Sequence, residues 1–157
     1  MRKRCLRLYR QAWVNVDGSS ALCVQPLTYM NRSGAIVHHF IPKRFAIEDL
    51  IVICDTLDLP AGMVRVRSGG SSAGHNGLKS LIEALGSSAF TRVYVGIGRP
   101  DASLTVVEHV LSAPHDPEEQ NALHQGVLQA AQATLDLCRG STVEEVARDY
   151  NRRNNSS

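Results

Sequence analysis

No run of apolar residues in this sequence is long enough to cross a membrane. The longest, Leu50-Ile51-Val52-Ile53-Cys54, falls far short of the roughly 18–20 residues that a spanning helix needs. The basic start (Arg2, Lys3, Arg4, Arg7, Arg10) is not followed by the apolar stretch of an export signal. Cys5, Cys23, Cys54 and Cys138 form no Cys-x-x-Cys pair and share no metal-ligand spacing with the six histidines. They read as reduced thiols in a cytoplasmic protein, and no metal is implied. Neither sign of charge dominates: the formal net charge is +2, so no global field announces nucleic acid. The nucleotide-binding patterns Gly-x-Gly-x-x-Gly and Gly-Lys-Ser/Thr are absent, as is any internal repeat.

What is present suits one globular α/β domain. The chain has 157 residues, 43% of them hydrophobic, and the expected domain covers residues 1–150 with a frayed tail at 151–157. Leu8 to Val16 alternates as a strand, Asp17-Gly18-Ser19 turns, and Ala21 to Gln25 returns. Asn31 or Ser33 can cap a helix reaching about Arg44. Residues 50–54 predict a strand buried on both faces. A further strand follows at Met63–Arg67, a helix from Asn76, and an apolar strand at Val93–Ile97. Asp116-Pro117-Glu118-Glu119 opens a long helix, and Ser141 with Glu144 makes a capping box for a last one.

The stretch RSGGSSAGHNGLKSLIEALG (residues 67–86) joins a strand to a helix through glycines and serines. Leu78, Leu81, Ile82 and Leu85 share one helical face, and Gly86 sits at a left-handed C-cap. A helix N-terminus after such a loop favours an anion, though a plain flexible loop reads equally well. Arg65, Arg67, Lys79, Arg92 and Arg99 flank the loop in sequence, as solvated surface or as a phosphate-facing patch. Asp55, at the carboxyl end of the apolar strand, either binds a ligand there or starts a turn. His38, His39, His109, His115 and His124 have no constellation around them.

PLTYMNRSG (26–34) and CDTLDLPAGMVRVRSGGSSAGHNGLKSLIEALGSSAFTRVYVGIGRP (54–100) resemble, in order and spacing, the signatures of bacterial-type peptidyl-tRNA hydrolases. The likeness runs from about Leu8 to Arg148. It implies a mixed, mostly parallel twisted sheet flanked by helices, and hydrolysis of the ester between a peptide and the 3′ end of tRNA. It implies a monomer acting on peptidyl-tRNA without cofactor or membrane. By position, Asn76 resembles the amide that holds substrate and reacting water, with His75 its neighbour. Asn31 is similar to a second substrate-contacting amide, and Tyr29 and Met30 to the cleft wall. Asp55 resembles the carboxylate that orients a catalytic histidine. Arg65, Arg67 and Lys79 match the basic surface that meets tRNA phosphates. Arg92 is a weaker match, and Tyr94 falls where many relatives carry a further basic residue.

The family's first central strand, its Gly-Leu-Gly-Asn-Pro loop and the His-Asn pair holding the general base have no counterpart in residues 1–157. A missed upstream start or a shortened relative would each explain this. The expectation is a chain that hydrolyses poorly as written. The alternatives are a non-catalytic RNA-binding homologue, as some organellar splicing factors are, and a phosphate-binding enzyme using the glycine loop.

Overall fold

The structure is a computed structural model that describes residues 8–99 and 116–153. The histidines at 109 and 115, and the basic residues at 2–7, lie outside them. The described residues form two compact units, one built from 8–49 and 69–90, the other from 50–68, 91–99 and 116–153.

The first unit opens with the expected hairpin, β1 (Tyr9–Val16) paired antiparallel with β2 (Ser19–Pro26). Asp17 and Gly18 both take positive φ (49° and 89°), the conformation whose twist matches that of the flanking strands. The side chain of Asn15 accepts the Gly18 N–H at 3.0 Å. At its other end the hairpin rests on an aromatic contact, Tyr9 against His39 and Phe40.

The expected helix capped by Asn31 or Ser33 needs correction. It is a 3-10 helix over Met30–His39, with Tyr29 as the N-cap residue. Gly34 and the β-branched pair Ile36-Val37 lower its α propensity, and Pro42 prevents its extension to Arg44. Its partner is α1 (Asn76–Leu85), which ends, as the sequence predicts, on Gly86 at φ 68°. The two helices touch where Gly34 donates its N–H to Ser80 Oγ at 2.9 Å.

The second unit holds a three-stranded sheet in the order β3-β5-β4, comprising β3 (Ile51–Thr56), β4 (Val64–Ser68) and β5 (Thr91–Gly96). β3 runs parallel to β5 and β4 antiparallel, so the fold is α/β with a mixed sheet, as expected, with one pairing of each kind among the described residues. One face, Val64, Val66, Val93 and Val95, is covered by Ala130, Ala133, Val146 and Tyr150. These four come from α2 (Pro117–Cys138) and α3 (Val143–Arg153). The small residues of α2 allow close approach: a Cβ on Gly126 would stand 2.6 Å from the Gly62 carbonyl oxygen.

β3 departs from expectation. Its apolar run predicts cover on both faces, but it is the edge strand among the described residues, and Ile53 is 53% exposed. The other edge is closed by a side chain. Asn151 accepts the Val66 N–H at 3.0 Å and donates to the Val66 carbonyl at 3.4 Å, as a neighbouring strand would. Residues 151–153 therefore belong to α3 and not to a frayed tail.

The long helix starts as read from sequence, with Asp116 accepting the Glu118 N–H at 3.0 Å and Pro117 in the first turn. The last capping box lies one residue later than expected. Thr142 and Glu145 exchange bonds of 2.9 and 3.2 Å, and the Thr142 N–H, followed by its hydroxyl, holds the Glu145 carboxyl below the usual carboxylate range.

Replacing Asn151 with Ala strips a donor and an acceptor from the edge of β4. Urea unfolding should show a loss of about 1–3 kcal/mol, against an unchanged result for an exposed α3 alanine variant such as Glu144→Ala.

Candidate active site

In the first unit the glycine loop is shaped by local bonds. Gly69, Gly70, Ala73 and Gly74 all have positive φ (67°, 106°, 48° and 80°), and Ser71 Oγ accepts the Ala73 N–H at 3.3 Å. The turn closes when His75 donates its N–H to the Ser72 carbonyl at 2.9 Å. His75 is the N-cap of α1, its ring Nδ1 accepting the Leu78 N–H at 3.1 Å. A neutral imidazole whose Nδ1 accepts carries its proton on Nε2. That outer nitrogen is a donor, so His75 in this arrangement cannot take a proton from water.

Asn76 is the first residue of α1 and is exposed, beside the end of the helix where unsatisfied N–H groups collect. Asn31 lies in the first turn of the 3-10 helix, and its cap residue Tyr29 is 83% exposed. Asn31 and Asn76 each precede the Gly34–Ser80 contact by about one helical turn. The packing of two helices thus fixes the backbone positions of both residues. Lys79 is exposed on the next turn of α1.

In the second unit Asp55 stands near the end of β3, as expected. Register determines what shares its face. Asp55 pairs with Val95, whereas Arg65 pairs with Tyr94 and Arg67 with Arg92. Arg65, Arg67, Arg92 and Tyr94 therefore occupy one face of the sheet, and Asp55 the opposite one. The sequence places Arg65 and Arg67 together correctly but gives no sign that Asp55 is turned away from them.

Arg92, a weak candidate by sequence, is fully buried and donates from Nη1 to the Tyr94 hydroxyl at 3.2 Å. It lies directly opposite Arg67, an arrangement of like charges that costs stability unless negative charge is supplied nearby. Arg99 is engaged elsewhere, in an exposed 2.7 Å ion pair with Asp58. Cys54, between these groups, is no nucleophile: burial, then the charge of Asp55, pushes its thiol up to about 12. Among the described residues no group of three or more histidines, cysteines or carboxylates is placed to hold a metal.

Two measurements check this reading. His75→Ala should lower stability by about 1 kcal/mol in denaturant unfolding, and His75→Asn, which keeps a capping oxygen, should restore most of it. At pH 8 a thiol-alkylating reagent should modify exposed Cys23 in the native chain, while Cys54 should react only after unfolding.

The family described as peptidyl-tRNA hydrolase matches residues 2–157. The peptidyl-tRNA hydrolase of Halalkalibacterium halodurans is 46% identical over 119 residues, 75% of this chain and 64% of that protein. That of Enterococcus faecalis is 47% identical over 139 residues, 87% of this chain and 72% of the relative. A crystal structure of an Arg119Gln mutant of the Acinetobacter baumannii peptidyl-tRNA hydrolase superposes with a TM-score of 0.79 at 30% identity. It covers 92% of this chain and 72% of that one. The chain thus spans roughly two thirds of the length of the relatives it matches. With one family description matching nearly every residue and relatives near 46% identity, the chain belongs to the peptidyl-tRNA hydrolase family.

Proposed function

We propose that this protein acts on peptidyl-tRNA, cleaving the ester between a peptide and the 3′-terminal ribose so that the tRNA can be reused. The reading places it in the cytoplasm as a monomer that needs neither metal nor cofactor. The observation that carries it is the family match across residues 2–157, which includes the His75-Asn76 pair at the start of α1.

Ester hydrolysis requires an activated water and donors for the oxyanion that develops on the carbonyl oxygen. In this reading the Asn76 amide holds the water and substrate, and Asn31 contacts the substrate near the ester. Tyr29 supplies an exposed aromatic wall. Asp55 orients a basic histidine and stabilises its cation. Arg65, Arg67 and Lys79 meet backbone phosphates, whose neutralisation gives salt-dependent affinity. His75 supports the site by capping α1, and its Nε2–H is a donor rather than a base.

The general base is then the histidine of the family's opening segment, for which residues 1–157 contain no equivalent. A positioned acid–base group is worth about 10²–10⁴-fold in rate. A carboxylate such as Asp55 is a poor substitute, being intrinsically a weaker base than an imidazole.

The test compares residues 1–157 with the same chain carrying the family's opening strand and His-Asn segment ahead of Met1. Both should bind tRNA, and the extended chain should release peptide roughly 10²–10⁴-fold faster. Asn76→Ala in the extended chain should lower kcat more than tRNA affinity. Binding without peptide release by the extended chain would assign the protein to RNA binding instead.

A further inference from the structure

An open groove of about 410 Å³ lies in the first unit between the glycine loop and α1. Lys79, Ile82 and Glu83 line it from the helix, and Ser71, Ser72 and Ser88 from the loops. Lys79 and Glu83 stand one turn apart, the spacing at which opposite charges on a helix ordinarily pair. Here they do not: neither side chain makes a hydrogen bond or ion pair with any described residue. Both face the same groove with their hydrogen-bonding capacity intact. Ile82, half-buried between them, gives the floor an apolar patch.

The pair of charges restricts what can bind. A bare phosphate satisfies Lys79 but is repelled by Glu83. A carboxylate accepts hydrogen bonds and donates none, so Glu83 requires a ligand that brings a donor close to its anionic group. A ribose with its phosphate has that composition, since the 2′-hydroxyl is a donor within reach of the adjoining phosphate and the sugar ring offers an apolar face to Ile82. DNA lacks this hydroxyl.

We infer that this groove binds one ribose-phosphate unit of the RNA backbone, with Lys79 on the phosphate and Glu83 accepting the 2′-hydroxyl, and that Glu83 thereby selects RNA over DNA. The assignment rests on the reading of the chain as acting on tRNA. Lys79 supplies affinity without discrimination, because both polymers carry the phosphate. Glu83 supplies discrimination at some cost in affinity, because its charge repels either backbone.

Residues 1–157, with Glu83→Ala and Lys79→Ala variants, are titrated by fluorescence anisotropy against an acceptor-stem hairpin in RNA and in the same sequence as DNA. Helix form differs between the two polymers, so the informative quantity is the change in the RNA:DNA affinity ratio on mutation. Glu83→Ala should lower that ratio by about three- to tenfold, by weakening RNA binding, strengthening DNA binding, or both. Lys79→Ala should weaken both polymers alike and reduce the salt slope by about one phosphate contact. An unchanged ratio in Glu83→Ala, with the parent still binding RNA, overturns the groove assignment and leaves the proposed function standing. Failure of the parent to bind either polymer overturns both.

Discussion

The candidate site depends on one close approach between helices. Gly34 donates its N–H to Ser80 Oγ, and a Cβ at position 34 would stand 2.2 Å from the Ser80 carbonyl oxygen and 2.8 Å from Ala84 Cβ. No side chain fits there without driving the 3-10 helix away from α1. Because Asn31 and Asn76 sit near the starts of these two helices, separating them would move one amide relative to the other by the same displacement. Misplacement on the scale of an ångström is enough to cost a reaction orders of magnitude. Under the proposed function the glycine is thus a constraint on chemistry that acts through packing alone.

The second unit uses the same device for a different end. Glycines at 62, 96 and 126 bring the α2 helix and the loop after β3 against the sheet, with no room for a Cβ at any of the three. That tight layer holds Val93 and Val95 in the core and fixes the register of β5 against both neighbours. Register in turn decides the sides: carboxylate with the helical layer, arginines on the reverse. A slip of one residue would exchange them.

Signals confined to a few adjacent residues were legible in the sequence. Gly86 ends α1, and Asp116-Pro117 begins α2, because caps act through bonds within one turn. The hairpin turn at Asp17-Gly18 follows for the same reason. Features set by distant partners were not legible. The apolar run of β3 reads as doubly buried, although it lies at an edge among the described residues. The separation of Asp55 from Arg65 and Arg67 is a matter of cross-strand register, and the groove at Lys79 and Glu83 needs the loop in place to have a second wall. The spacing of that pair was visible; that they would stand unpaired was not.

The bond between Asn151 and Val66 also has a meaning in time. The two residues are 85 positions apart, and a ribosome adds about 5–20 residues per second, so the edge of β4 waits roughly 4–17 seconds for the amide that closes it. β4 and β5, much nearer in sequence, can meet before α3 has left the tunnel. For that interval the nascent sheet carries an open strand edge, and it is then that the growing chain most needs shelter from its neighbours on a crowded polysome.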